Sequence, residues 1–300
     1  MKNTLLKIIF LGIILMLLGA CTRTETSRVY YNPAWTYDGK IISVKESRFG
    51  FSFAGLGGGS SGYDSECFLV TMDTEGENEA VIKELGESKF PQINCSPQGT
   101  YYALKYDYKI EIYQFSDGEL VSTLSFDDKI QEYDWSTNDT KLIIRDESST
   151  AIYNTSGEKQ TDINVWAFAW KYNNNIFGQQ GSYPDIIMVY LDENANLVSS
   201  NIQANTIDQY FPDGQSYLGD FKKISVPSFN IIEDYATLSD AIAEGESYDG
   251  AHALVNQPIN PVNPNQIMFT GPTGSTFSTD ATGEGIYLIN IDGTNRERIK

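Results

Sequence analysis

Short segments rich in β-branched and aromatic residues recur along most of the chain, several of them with apolar and polar positions alternating. Residues 110–113 (Ile-Glu-Ile-Tyr) lead to an Asp-Gly turn at 117–118, and residues 286–289 (Ile-Tyr-Leu-Ile) lead to another at 292–293. Short β-strands have this composition and a period of two, whereas helices need apolar residues every three or four positions. Turns that contain Gly favour tight reversals between neighbouring strands. The pattern therefore predicts an antiparallel, all-β fold.

One longer phrase occurs six times. Its clearest copy, at residues 35–44 (Trp-Thr-Tyr-Asp-Gly-Lys-Ile-Ile-Ser-Val), has an aromatic residue that ends one strand, an Asp-Gly turn and a second, apolar strand. Five further copies, of which the last two are weaker, begin at Cys95, Trp135, Trp170, Tyr210 and Asn260. The copies begin 35 to 60 residues apart, a range typical of β-propeller repeats.

A third strand and a short fourth strand follow most copies, so each unit contains four strands. A four-stranded blade cannot bury both of its faces alone, but blades that stack radially bury them and form a closed ring. We therefore predict a β-propeller of about six four-stranded antiparallel blades over residues 29–300. The aromatic residue that ends each first strand should fit between blades, and the Asp-Gly turn should supply a positive φ.

Residues 33–40 (Pro-Ala-Trp-Thr-Tyr-Asp-Gly-Lys) resemble the Trp-Ser-Pro-Asp-Gly-Lys repeat of TolB-like, WD40-like (PD40-type) propellers. The resemblance covers nearly all of the chain after its N-terminal segment, and it weakens in the last two copies, which lack the Trp. It implies a six-bladed ring that is used mostly for binding. The fold by itself specifies no activity.

Two segments interrupt the repeats. Residues 55–62 (Gly-Leu-Gly-Gly-Gly-Ser-Ser-Gly) lengthen the first unit and should form a flexible loop between its second and third strands. Residues 229–250 form the second insertion, in which we expect a short helix at 236–244. Insertions on a repeat fold often mark the face that carries function, and decoration of the surface is the other interpretation.

The N-terminal segment differs from the rest of the chain. Lys2 and Lys7 precede an apolar run at 8–18, which is short for a membrane span. A charged start, a short apolar segment and small residues before a cleavage point are typical of a secretory signal. Residues 18–21 (Leu-Gly-Ala-Cys) resemble a bacterial lipobox.

The lipobox resemblance implies that residues 1–20 are a signal peptide and that Cys21 becomes the acylated first residue of the mature protein. Two or three acyl chains anchor a protein stably, whereas one chain is marginal. Residues 21–28 should then be the lipidated Cys and a short tether, and only the lipid should contact the membrane. Thr22 in place of an Asp retention signal favours the outer membrane if the cell has one, and otherwise the outer face of the plasma membrane. The expected location is therefore the bacterial cell envelope.

The mature chain is strongly acidic. Without residues 1–20 it has 19 Lys and Arg against 40 Asp and Glu, a net charge of −21 with His252 neutral. Such a surface repels phosphate groups, so nucleic acid is not an expected partner, and a polybasic contact with anionic headgroups is disfavoured as well. Basic partners and cations are compatible with this charge.

Cys67 and Cys95 are the only cysteines besides Cys21. Export to an oxidising compartment permits a disulfide between them, and two buried thiols are the alternative. Two Cys and one His are too few soft ligands for a closed zinc site, so no metal site is predicted. Calcium needs only oxygen ligands, and its binding therefore stays open.

The sequence shows no catalytic constellation and implies no cofactor. Residues 58–62 (Gly-Gly-Ser-Ser-Gly) match the sequence pattern of a nucleophile elbow. The flanking sequence does not predict the strand, strained turn and helix that this motif requires. The only imidazole, His252, is expected near the start of an inner strand, where a structural role is favoured over that of a general base. Side-chain hydrogen bonds that hold turns suffice to explain four acidic residues, namely Asp38, Asp117, Asp213 and Asp292.

These observations favour a membrane-anchored, non-catalytic propeller that binds an envelope protein or peptide on its loops or channel mouth. One alternative is a carbohydrate-active or other hydrolytic propeller enzyme that uses carboxylates near the ring axis. A sensor of a small ligand or a cation is the other. The sequence leaves the ligand itself and the oligomeric state open.

Overall fold

A computed structural model gives the fold, and the residues that it describes form strands and one helix. It describes residues 21–53, 61–87, 89–170, 175–181, 187–201, 209–211, 213, 215–219, 221–225, 228, 230–243, 253–272 and 284–300. The signal peptide expected at 1–20 and His252 lie outside these residues, as does most of the glycine-rich segment 55–62.

The first three blades follow one another along the chain. Blade 1 contains β1 (Cys21–Trp35), β2 (Ile41–Phe53), β3 (Ser61–Met72) and β4 (Ala80–Gly86). Blade 2 contains β5 (Gln92–Cys95), β6 (Tyr101–Lys105), β7 (Lys109–Gln114) and β8 (Leu120–Ser125). Blade 3 contains β9 (Ile130–Trp135), β10 (Lys141–Asp146), β11 (Thr150–Asn154) and β12 (Lys159–Ile163).

The last three blades continue in the same order. Blade 4 contains β13 (Ala167–Ala169), β14 (Ile176–Gln180), β15 (Ile187–Leu191) and β16 (Leu197–Asn201). Blade 5 contains β17 (Gln209–Tyr210), β18 (Ser216–Gly219), β19 (Lys222–Ser225) and β20 (Ile231–Asp234), and helix α1 (Ala236–Ala243) follows it. Blade 6 contains β21 (Ala253–Ile259), β22 (Gln266–Pro272), β23 (Glu284–Asn290) and β24 (Glu297–Arg298).

Neighbouring strands of every blade are antiparallel, and among the described residues a backbone bridge between Tyr30 and Glu284 joins blades 1 and 6. The first strands approach one another across blades, as β1 does with β5 and β21, so they surround the axis of the ring. The predicted six-bladed propeller is confirmed. All six copies of the repeated phrase mark the end of a first strand, including the two weaker copies.

The apolar core lies between blades, as the radial stacking of sheets requires. The described side chains form six clusters, one between each pair of neighbouring blades. The cluster between blades 6 and 1 contains Trp35 and Ile41 from one side and Met268 and Ile286 from the other. Ring closure therefore rests mainly on side-chain packing.

Aromatic residues at the ends of first strands fill the space between blades, as the sequence predicts. Trp135 is fully buried, and its Nε1 donates to the carbonyl oxygen of Asn94 in the preceding blade, at 3.2 Å. Trp35 Nε1 donates to the carbonyl oxygen of Pro258 in blade 6, at 2.9 Å. Each indole therefore adds a directional hydrogen bond to the apolar contact between two blades.

The turns after the first strands also join neighbouring blades. Gly99 has a φ of +74°, and a Cβ there would lie 2.1 Å from the ring of Tyr37 in the turn of blade 1. Asp139 has a φ of +59° and is buried, and its carboxylate crosses to the turn of blade 2. It accepts three hydrogen bonds, from Ser96 Oγ, the Gln98 amide and the Thr100 amide.

Residues 21–28 lie in β1, which differs from the tether expected there. Their backbone pairs with β2, from Cys21 opposite Phe53 to Arg28 opposite Ser47. Thr occupies alternate positions of this segment and favours extended backbone, but the pairing depends on a partner strand that is remote in sequence. β1 to β3 are accordingly 15, 13 and 12 residues long.

The helix expected at 236–244 is confirmed as α1. Its Leu238 and Ile242 are buried in the cluster between blades 5 and 6, together with Phe211 and Ile259. The apolar face of α1 therefore extends the core of the ring. No helix in the described part of the chain is long and apolar enough to cross a membrane.

Candidate functional site

The two ends of the ring carry different connections. Because strands alternate in direction, the turns after first and third strands lie at one end, which we call the turn face. The connections after second strands and between blades lie at the other end, which we call the loop face. Loops on a rigid scaffold are where binding residues concentrate.

Three large aromatic side chains of the loop face are exposed to solvent. Phe90 lies between blades 1 and 2, Tyr108 in the turn from β6 to β7, and Trp166 between blades 3 and 4; their exposed fractions are 39%, 55% and 39%. Phe90 is held by contact of its ring with Tyr31, at 4.5 Å between centroids, and its carbonyl accepts from Asn32 Nδ2. Aromatic residues of this kind are enriched in protein interfaces.

Charged residues lie at the loop-face ends of strands near the axis. Glu132 of β9 stands directly opposite Arg145 of β10, and Arg145 Nη2 lies 3.5 Å from the Glu132 carboxylate. Lys105, at the end of β6, donates from Nζ to the carbonyl oxygens of Ile130 and Gln131. The group thus joins blades 2 and 3 near the axis of the ring.

The surroundings of this group change its titration. Burial is the main cause that raises the pKa of Glu132, the charge of Arg145 opposes the rise, and the carboxylate of Asp134 adds to it, so that the pKa lies at about 7. Burial also lowers the pKa of Lys105. A carboxyl group with a pKa near neutrality changes its charge under physiological conditions.

We expect Glu132 to make folding stability depend on pH. Its folded-state pKa of about 7 lies above the ordinary value of 4.5, so between these values the folded chain holds a proton that the unfolded chain has released. The contribution of Glu132 to the free energy of unfolding is fully present below pH 4.5, and it is lost as the pH rises through the folded-state pKa of about 7. With 30% of the side chain exposed, we expect a loss of about 2 kcal/mol.

Glu132→Gln provides the matched variant, since the amide keeps the shape and cannot ionise. Urea unfolding of both proteins at pH 5, 6, 7 and 8 gives their free energies of unfolding. As the pH increases, this free energy should decrease more for the wild-type protein than for the variant. Parallel pH profiles for the two proteins would contradict the assignment.

Asp134, the other carboxylate near Glu132, has a structural role. Its two oxygens accept the backbone amides of Trp135 and Trp170, each at 2.9 Å. It therefore ties blade 3 to blade 4.

A cavity of about 550 Å³ opens on the loop face of blade 3. It lies between the turn from β10 to β11 and the connection from β12 to β13, and we call it the Trp166 cavity. Its lining consists of residues 145–150 and 162–166. Arg145 connects it to the charged group at the axis.

The four acidic residues expected to hold turns do so. Asp117 Oδ1 accepts the amide of Glu119, and Asp292 Oδ1 accepts the amide of Thr294, each at 2.9 Å. Asp213 accepts from the amides of Gln215 and Ser216, and Asp38 accepts from Thr36 Oγ1. These side chains stabilise turns, which agrees with the structural role predicted for them.

The remaining sequence-predicted residues are not part of the charged group formed by Glu132, Arg145 and Lys105. Cys67 and Cys95 are both buried thiols in the cluster between blades 1 and 2. Cys21 begins β1, and its lipidation stays a prediction. Within the described ranges, no three or more His, Cys, Asp or Glu side chains form a group that could hold a metal ion.

Sequence reasoning missed Glu132, Arg145 and Trp166. The scarcity of arginine was a usable signal, because Arg145 is the only one between Arg48 and Arg296. The Trp at 166 was a second signal, since it stands four residues before the aromatic of the repeated phrase and so falls outside the repeat.

Solved propeller structures resemble this fold. A TolB protein from Agrobacterium tumefaciens has a TM-score of 0.50 and 14% identity, covering 74% of this chain and 84% of its own. The β-propeller domain of Cps50 (Swd1) from Myceliophteria thermophila has a TM-score of 0.53 and 11% identity, covering 93% and 88%. No protein-family model and no curated protein matches the sequence. At such identities the likeness shows the fold alone.

Proposed function

We propose that this chain is a lipid-anchored, non-catalytic propeller of the bacterial cell envelope that binds a protein or peptide on its loop face. The single observation that carries the proposal is the exposure of Phe90, Tyr108 and Trp166 on that one face. Large aromatic side chains supply much of the binding energy of protein interfaces when a partner covers them. The envelope location rests on the lipobox resemblance at 18–21.

Charge is consistent with a protein partner. The net charge of −19 for the whole chain disfavours nucleic acid and anionic membrane surfaces as ligands of the loop face. Asp107 and Lys129 form an ion pair at this face, at 3.0 Å, so both signs of charge are present beside the aromatic residues. A rim of mixed charge around exposed aromatic residues is typical of protein interfaces.

Site-specific crosslinking in intact cells tests the proposal. A photoreactive amino acid at position 108 or 166 should yield one crosslinked product of defined mass, because these positions lie inside the proposed interface. The same amino acid at Tyr37, which is 46% exposed on the turn face, is the matched control and should yield none. Equal products from both faces, or none from the loop face, would reject this role.

A second arm separates anchoring from binding. Cys21→Ser removes the acylation site, so the protein should leave the membrane fraction and lose incorporation of labelled palmitate. Purified partner should still bind this variant, since the substitution leaves Phe90, Tyr108 and Trp166 unchanged. Retention of Cys21→Ser in the membrane would contradict the lipid anchor while leaving the loop-face interaction to its own test.

A further inference from the structure

The sheet of blade 1 continues beyond the loop face of the ring. β4 ends opposite Cys67, whereas β3 remains paired with β2 as far as Ser61, and β2 with β1 as far as Cys21. In the described part of the other blades no strand is longer than seven residues, against 15, 13 and 12 residues for β1 to β3. We call residues 21–28, 46–53 and 61–66 the β-arm. Because β1 runs toward the turn face, Cys21 lies at the far end of the β-arm, on the loop-face side.

Paired strands and a buried polar group fix the β-arm to the ring. Glu46 is buried, and its carboxylate accepts the hydroxyl of Tyr31 and pairs with Arg48 Nη2, each at 3.0 Å. The ring of Tyr31 also contacts Phe90 of the loop face. Within the β-arm, Thr26 Oγ1 donates to the carbonyl oxygen of Arg48, at 3.1 Å. The β-arm is therefore a continuation of the folded sheet and not a flexible connection.

The β-arm sets the distance between Cys21 and the ring. Tyr30 bridges Glu284, the first residue of β23, and so marks the level at which β1 enters the ring. Residues 21–28 precede this level, and at about 3.3 Å for each residue they extend at most about 25 Å. Cys21 is thus held up to about 25 Å beyond the loop face.

The charges of the chain are divided unequally between the β-arm and the ring. The β-arm has three arginines and four acidic residues, whereas the rest of the mature chain has 16 Lys and Arg against 36 Asp and Glu. Anionic lipid headgroups therefore repel the ring far more than the β-arm. Salt at physiological strength screens charges beyond about 8 Å, so a ring held about 25 Å from the headgroups escapes most of this repulsion.

We propose that the β-arm directs the loop face toward the membrane and holds it about 25 Å from the headgroups. The partner of the loop face is then the membrane-proximal part of a protein held in the same membrane. This inference rests on the proposed function, because it needs an acyl group on Cys21 and a protein partner on the loop face. A flexible tether would leave every orientation of the ring accessible, whereas a paired strand that begins at the acylated residue leaves few. By the size of compact domains, a gap of about 25 Å accepts an extramembrane loop or a domain of about 50 residues.

Fluorescence energy transfer tests the orientation with the acylated, full-length protein in vesicles whose headgroups carry an acceptor dye. The donor is placed on Tyr108→Cys or on Ser116→Cys, which precede and follow β7 and so lie near its loop-face and turn-face ends. Both native side chains are exposed, whereas Cys67 and Cys95 are buried and stay unlabelled. β7 has six residues, which separates the two donors by about 20 Å, so transfer from position 108 should be about twice as efficient or more.

A flexible linker provides the matched control. About 20 Gly and Ser residues inserted between Cys21 and Thr22 keep the acylation site but release the β-arm from the lipid, since a chain of this length spans about 25 Å on average. Transfer from positions 108 and 116 should then become nearly equal. In the protein without the linker, equal transfer or stronger transfer from position 116 would overturn the orientation. A loop-face crosslink together with that result would leave the proposed function intact.

The loop-face crosslink from position 166 tests the kind of partner. In cells that lack this chain, the protein identified in the crosslink should stay in membranes that are washed at high salt. Its release into the soluble fraction by that wash would overturn the assignment to a membrane-held protein. An unacylated Cys21 would reject the lipid anchor and the orientation together. Absence of any loop-face crosslink would reject the proposed binding role and with it this partner, while the energy transfer still decides the orientation.

Discussion

Replacing Trp135 with alanine should lower the free energy of unfolding by about 4 kcal/mol. The indole is fully buried between blades 2 and 3, where its ring stacks on Tyr101 at 5.9 Å between centroids. The substitution removes this contact, opens a cavity and leaves the carbonyl oxygen of Asn94 without the indole donor. Urea unfolding followed by circular dichroism measures the loss.

Trp166→Ala is the control for this prediction. Trp166 has the same chemistry but lies partly exposed on the loop face, so its removal should cost less than about 1 kcal/mol. Trp135→Phe should fall between the two, because the benzyl ring fills part of the space and cannot donate a hydrogen bond. Equal costs at positions 135 and 166 would show that the aromatic residue of the repeat does not join the blades.

Asp139→Ala should lower the free energy of unfolding by about 3 kcal/mol. The change removes the acceptor of three hydrogen bonds from blade 2, of which the bond from Ser96 is buried and the other two are partly buried. Alanine is also less suited than Asp to the φ of +59° at this position. Thermal and urea unfolding should agree on the direction and on the approximate size.

Asp117→Ala separates the bridge between blades from the ordinary effect of losing a turn carboxylate. Asp117 accepts the amide of Glu119 within one turn and is exposed, so its loss should cost less than about 1 kcal/mol. Asp139→Asn keeps one acceptor oxygen and tolerates the positive φ, and it should cost less than Asp139→Ala. If positions 117 and 139 respond alike, the carboxylate of Asp139 does not hold the two blades together.

The propeller could be predicted because the sequence features that specify each blade lie close together along the chain. An aromatic residue, a turn that needs a positive φ and a strand of alternating residues recur within ten positions, and each part has its own physical reason. Asn260, which stands where four of the other five copies have an aromatic residue, still closes its turn by accepting the amides of Val262 and Asn263. The side-chain hydrogen bonds that close the turn are therefore kept in this copy, although its aromatic residue is absent.

The candidate site could not be predicted because it depends on register and on exposure. Glu132 faces Arg145 only because β9 and β10 pair in that register, and neither residue belongs to the repeated phrase. The pairing of residues 21–28 could not be predicted for a related reason, since the partner of that segment is the far half of β2. The register in which two strands pair is set when the sheet forms, whereas the composition of a short segment indicates only whether its backbone prefers to be extended.

Each blade is made from one uninterrupted stretch of chain, which affects the order in which the molecule can assemble. During synthesis or export a blade can collect its four strands as soon as they emerge, without waiting for a remote segment. The exception is the seam between blades 1 and 6, where Trp35 meets Pro258 across 223 positions. Until that seam forms, the early blades carry an apolar flank open to water, which is the interval when self-association most threatens the chain.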